Sequence, residues 1–257
     1  MKRALLSFLL SIGTLVPIGT WAQTVHVVTE NAPPFTYMQD KKVVGTAASV
    51  LEKTMQQAGL TDYRVSMYPW ARAYDMALTE PNVLIFLIAR TPEREKQFQW
   101  VGEFMQMRYH LYKLRERASI TAASLDEARK YVIGVMRDDV RQQYLQRRGF
   151  SRLVVSAQPT ENFNQLLNRQ VDLVPLTEAA TLPLCQAAHF DCEKLEKVFT
   201  LDEMTTGLYM AYSKSTPPAL VARTQAAFEQ LRGNGTVRRL MEASQATAAK
   251  TAASPAK

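Results

Sequence analysis

Residues Val83 to Arg94 read VLIFLIARTPER. The first seven, Val83 to Ala89, are all apolar and rich in β-branched and aromatic types, a run too short for an ordinary helix and suited to a buried strand. Arg90 follows, then Thr91 and Pro92, a capping residue and a proline at the first helical position, which predict a helix directly after the strand. In an open parallel α/β sheet, ligands bind beyond the carboxyl ends of the strands, where helix N-termini aim free N–H groups and partial positive charge. Arg90 and Arg94 flank that spot, and a guanidinium can offer a carboxylate two parallel hydrogen bonds. Arg94 can equally serve its own turn alone, by pairing with Glu93 or Glu95.

Working outward, the segment before this unit repeats its logic. Thr24 to Thr29 (TVHVVT) reads as a strand, and Pro33-Pro34 ends it. Phe35 to Tyr37 and Asp40-Lys41-Lys42 suggest a hairpin, and Ala47 to Ala58 is helical with Gly59 as its stop. Tyr63 to Tyr68 alternates as a half-buried strand, and Pro69 opens a helix with Trp70 and Arg72 in its first turn.

On the far side, Trp100 to Arg117 is extended and leads away from the first units, and Ser124 with Glu127 forms a capping box on a short helix. A second series follows: strand Tyr131 to Met136, a helix capped by Asp138 or Asp139, strand Leu153 to Ser156, a helix from Thr160, and strand Val171 to Leu176. Pro175 places that last strand at an edge, and Thr177-Glu178 opens the next helix. Strand-like Val198 to Leu201 and Gly207 to Ser213 precede an amphipathic helix, Ala219 to Leu231, and a last helix from Thr236. Two α/β series joined by long extended connections predict two lobes with a cleft between them. Glu30, Trp70, Arg90 and Arg94 would face it from the first, and Arg137, Asp138, Thr177 and Glu178 from the second.

Lys2 and Arg3, an apolar run from Ala4 to Val16 and Thr20-Trp21-Ala22 have the layout of a secretory signal peptide, residues 1–22, which predicts an exported, periplasmic protein. Without Lys2 and Arg3, 29 basic residues face 24 acidic ones, so the formal charge falls from +7 to +5. These charges are interspersed, which argues against a nucleic-acid face and agrees in sign with an anionic ligand. Cys185 and Cys192, with six residues between them, are expected to form one local disulfide in an oxidising compartment; a metal or redox pair is the alternative, but the spacing is not CxxC and there is no second pair. His26, His110 and His189 are isolated in sequence, and no metal motif, phosphate loop or nucleophile elbow is present, so no cofactor is expected. From about Ser244 the chain is Ala, Thr, Ser and Lys without periodicity and reads as a disordered tail, residues 244–257.

The order of strand, PPFTY, Gly45, TPER and FQWVGEF, then YVIGVMRDDV, NRQVDLVPLTEAA, GLYMAYSKS and LRGNGTVRRLMEAS, resembles the family 3 solute-binding proteins of ABC uptake systems over nearly all of residues 24–243. The resemblance implies two α/β lobes, the first discontinuous (residues 23–108 and 206–243) and the second spanning 109–205, with a hinge of two crossing strands closing on a small ligand. It implies that Arg94 grips a ligand carboxylate. Three positions depart from the pattern: the stacking aromatic falls on Ala32, leaving Trp70, Tyr37 or Tyr68 as candidates; Asp138-Asp139 replaces a small pair; and the acidic residue that holds an amino-acid ammonium falls on Thr177, with Glu178 one place on. TENAPPF, YPWARA and ARTPERE resemble a divergent branch, in which Glu30, Trp70 and Arg72 are further ligand candidates. The expected function is capture of a small polar, carboxylate-bearing molecule by a monomeric, non-enzymatic protein and delivery to a membrane permease. An exported enzyme resembling cyclohexadienyl dehydratase, with Glu178 or Glu30 as acid, and a sensory protein without a transporter are the alternatives.

Overall fold

The computed structural model describes residues 24–242, so the predicted signal peptide and tail lie outside the described residues. Strands β1 (Val25–Thr29), β4 (Tyr63–Met67) and β5 (Val83–Ala89) run parallel, with β1 in the middle. Helices α1 (Thr46–Gln57) and α2 (Trp70–Thr79) make the crossovers, and a hairpin of β2 (Tyr37–Gln39) and β3 (Lys42–Val44) precedes α1. Gly45 sits between hairpin and helix at φ 119°, where a Cβ would stand 2.3 Å from the Phe35 carbonyl oxygen, so only glycine fits. As the apolar run of Val83 to Ala89 requires, every residue of β5 is buried.

Strand β5 does not feed a regular helix. Residues 91–97 form successive turns, closed by Arg94 N to Thr91 O (3.0 Å) and Gln97 N to Arg94 O (2.9 Å), and β6 (Phe98–Leu114) starts at once. Each bond closes a four-residue turn, and Thr91-Pro92 starts the first of these instead of a helix. Strand-like 198–201 and 207–213 are also parts of a single strand, β10 (Leu195–Ser213), antiparallel to both β5 and β6.

The main sheet has the order β4-β1-β5-β10-β6-β9, with β9 at Val174–Leu176. Strands β6 and β10 run through the whole molecule. Midway their register jumps, Leu201 facing Tyr109 and Thr206 facing Met107, so four residues of β10 bulge out of the pairing. Beyond this point β9 pairs with β6 only over its three residues, Pro175 opposite Leu111. The segment before β9 meets β7 (Ile133–Met136) through an Ile133–Leu173 bridge, and β7 pairs in parallel with β8 (Leu153–Ser156). Helices α3 (Leu125–Ala128), α4 (Val140–Arg147), α5 (Pro159–Leu167) and α6 (Glu178–Ala187) surround this second half, while α7 (Pro218–Gly233) returns to the first. The result is an α/β molecule of two sheet halves, each flanked by helices, strung on two shared strands. Cys185 in α6 forms a disulfide with Cys192, Cα to Cα 5.6 Å. Among the described residues no helix is long and apolar enough to cross a membrane.

Candidate functional site

A cavity of about 190 Å³ lies between the halves, at the carboxyl ends of β1 and β5. Glu30 reaches it from the end of β1, Arg94 from the turns after β5, Trp70 from the start of α2 and Thr177 from the start of α6. The N-terminal turns of α4, α5 and α6 also line it, through Asp139 to Arg141, Gln158 to Thr160, and Thr177, so three helix dipoles present their positive ends.

Arg94 is 1% exposed, although it is an arginine in a turn. Its Nη2 donates to the Asp138 carbonyl (3.0 Å) and to Gln143 Oε1 (3.3 Å), and its Nη1 to the Ala89 carbonyl (3.4 Å). These acceptors are uncharged, and Nε is buried with no partner. The guanidinium packs over Trp70 and Tyr74, 5.4 Å and 4.7 Å from the ring centroids. A buried cation with an unanswered donor is costly until an anion reaches it.

The other charges form a cluster. Asp139 caps α4 and accepts from Arg141, whose Nη1 donates on to the Pro175 carbonyl (3.2 Å) and whose guanidinium stands 5.6 Å from the Tyr109 ring centroid. Burial pushes the Asp139 carboxyl up most strongly, but the Arg141 charge, the hydrogen bonds from Arg141 and the Arg94 charge together outweigh this and hold it below the ordinary range. Glu30 has no such partner. Burial, and then the Asp139 charge, push its carboxyl up to about 8, against the weaker pull of Arg141 and Arg94. Burial likewise pushes the Tyr109 hydroxyl far above its ordinary value.

Seven of the expected residues, Tyr68 among them, do not reach the cavity. Side chains alternate along a strand, so with Ala89 facing inward Arg90 points away, 2.7 Å from Glu95 and packed on Trp100 and Tyr209. Arg72 lies over the Tyr68 ring at 4.5 Å, and Tyr37 is exposed on the β2–β3 hairpin. Arg137 is exposed, and Asp138, in the left-handed region at φ 58°, contributes its backbone carbonyl to Trp70 Nε1 (3.0 Å) and Arg94 but not its carboxylate. Glu178, first residue of α6, turns outward to Lys197 and lies 3.7 Å from His110, while the Thr177 hydroxyl accepts from Ala180 N (3.3 Å) as the helix cap. Tyr109 and Arg141 were not expected. Tyr109 is one aromatic in a long strand whose inward face depends on the register of β10, and Arg141 counts only once Asp139 rather than Asp138 is known to cap α4.

The family model for bacterial extracellular solute-binding proteins, family 3, matches residues 25–244. No curated protein matches the chain. Among solved structures, a histidine kinase sensor domain with similarity to periplasmic binding proteins superposes with a TM-score of 0.75 at 18% identity, over 85% of this chain and 94% of that one. The arginine-, lysine-, histidine-binding protein ArtJ of Geobacillus stearothermophilus gives 0.71 at 19%, over 86% and 94%. The substrate binding protein of an amino acid ABC transporter gives 0.72 at 13%, over 85% and 97%. At these identities the likeness speaks for the fold.

Proposed function

The chain belongs to the bacterial extracellular solute-binding proteins, family 3, and from that premise we propose that it captures a small carboxylate-bearing molecule, an amino acid or a relative, between its two halves. The single observation that carries this is Arg94: a buried guanidinium on the cavity wall whose Nε has no partner. The positive ends of α4, α5 and α6 around it favour the same charge. The halves, residues 23–108 with 206–243 and residues 109–205, close over the ligand about the register jump in β6 and β10, and closure is stabilised because both sides then touch it. The protein acts outside the cytoplasm, exported by residues 1–22, as a monomer that releases its ligand unchanged to the permease of an ABC system. Likeness to the binding protein of such a transporter supports the delivery, and likeness to a kinase sensor domain keeps a sensory role beside it.

A thermal-shift screen of the purified protein against amino acids, short carboxylates, polyamines and sugars tests this. Ligand bound only to the folded state must raise the melting temperature. Stabilisation by a carboxylate, lost in Arg94→Ala with a weakening of about 2–5 kcal/mol, is the expected result. Binding unaffected by Arg94→Ala would remove the carboxylate seat. One observation favours a second reading, an exported lyase on this scaffold: Glu30 keeps its proton near neutral pH in an enclosed site, as a general acid requires. Turnover of prephenate or arogenate, abolished in Glu30→Gln, would establish it.

A further inference from the structure

Several polar groups in and beside the cavity are already committed to the protein. Asp139 and Arg141 hold one another, the Thr177 hydroxyl caps α6, and Glu178, the only acid of α6, is turned out to Lys197. Besides Arg94 and Glu30 the lining includes Asn31, Tyr109, Gln158 and Thr160, but two of its walls, one from each half, are hydrocarbon. From α6 come Ala180, Pro183, Leu184 and Ala187, spaced as one helical face. Pro183 stands inside that helix, where proline is the most disfavoured residue. On the cavity side it presents a ring and no N–H, so beyond the first turn of α6 this wall offers neither charge nor donor.

The opposite half makes a similar concession. In β5 the pairing with β10 passes from Phe86 to Ile88, leaving Leu87 as the extra residue of a bulge at φ 63°. A leucine is strained in the left-handed region, and here the strain accompanies an apolar side chain delivered to the cavity. A polar ligand body would have to shed its water against these two walls without finding partners.

Resting on the reading of Arg94 as a carboxylate seat, we infer that the ligand is a carboxylate with an apolar body, lying along the α6 face and Leu87, and not one with a polar or charged side chain. Each methylene buried against such walls strengthens binding by roughly fourfold, whereas an amide placed there goes unpaired.

Isothermal titration of the purified protein with shape-matched pairs decides the matter: leucine against asparagine, methionine against glutamine, and 4-methylpentanoate, with arginine and glutamate for charge. The apolar member of each pair is expected to bind at least tenfold more tightly, and Leu184→Gln to shrink that gap at least threefold. Should Leu184→Gln not fold, Ala180→Asn on the half-buried part of the same face gives the same readout. Tighter binding of asparagine, glutamine, arginine or glutamate that is lost in Arg94→Ala would overturn the apolar class and leave the carboxylate seat standing. If no carboxylate of any kind binds, the seat and the apolar class fall together.

Discussion

Glu30 and Arg94 leave the same edge of the sheet, from the neighbouring strands β1 and β5, and meet opposite fates. Arg94 is wrapped by carbonyls and aromatic rings, while Glu30 faces a second carboxylate and keeps its proton. An acid whose pKa is raised in the folded state binds a proton that the unfolded chain has released. Stability therefore falls as pH rises from the ordinary glutamate value of about 4.3 to about 8, and is flat above that. The expected slope in the ligand-free protein is at most about 1.4 kcal/mol per pH unit. Glu30→Gln should flatten it, as read from denaturant midpoints between pH 5 and 8; an unchanged slope would place the titrating group elsewhere. Asp139, held low by Arg141, acts only in more acidic solution. Positions next to strand ends were legible in the sequence, which is how Glu30, Trp70, Arg94 and Thr177 came forward. The facing of Arg90 and Glu178 was not, because one step along a strand or a helix start reverses a side chain, and only the register settles it.

At the scale of elements, packing decides what pattern cannot. Gly102 of β6 lies so close to α7 that a Cβ would stand 2.2 Å from the buried Phe228 ring. Gly102→Ala should cost about 1–3 kcal/mol, measured by urea unfolding, because the ring has no room to withdraw. The Cys185–Cys192 disulfide fixes the end of α6, whose face lines the cavity. Replacing both cysteines by serine should lower stability by about 2–4 kcal/mol and loosen that wall, seen as faster hydrogen exchange in α6. The strands and most helices could be read from apolar runs and caps. Thr91-Pro92 misled because a helix start and a tight turn share the same first residues. The union of the segments 198–201 and 207–213 into one strand depends on pairing with β6, which is remote in sequence.

For the molecule as a whole, polar contacts join the two halves beside the cavity. Trp70 Nε1 and Arg94 Nη2 both donate to the Asp138 carbonyl, and Glu93 pairs with Arg147 at 3.3 Å. Trp70→Phe keeps the ring against Tyr74 and removes one donor. It should cost about 1 kcal/mol and enlarge the radius of gyration of the ligand-free protein in X-ray scattering, by favouring an open arrangement. The two-lobed plan itself was visible in the repeat of α/β units, but the partners across the mouth were not, since a backbone carbonyl leaves no signature in a sequence. That carbonyl has a further consequence. It bears no formal charge, so dissolved ions can weaken the exposed Glu93–Arg147 pair yet barely reach the grip of Trp70 and Arg94 on Asp138. A clasp built this way would shut with nearly the same force in dilute and in concentrated salt.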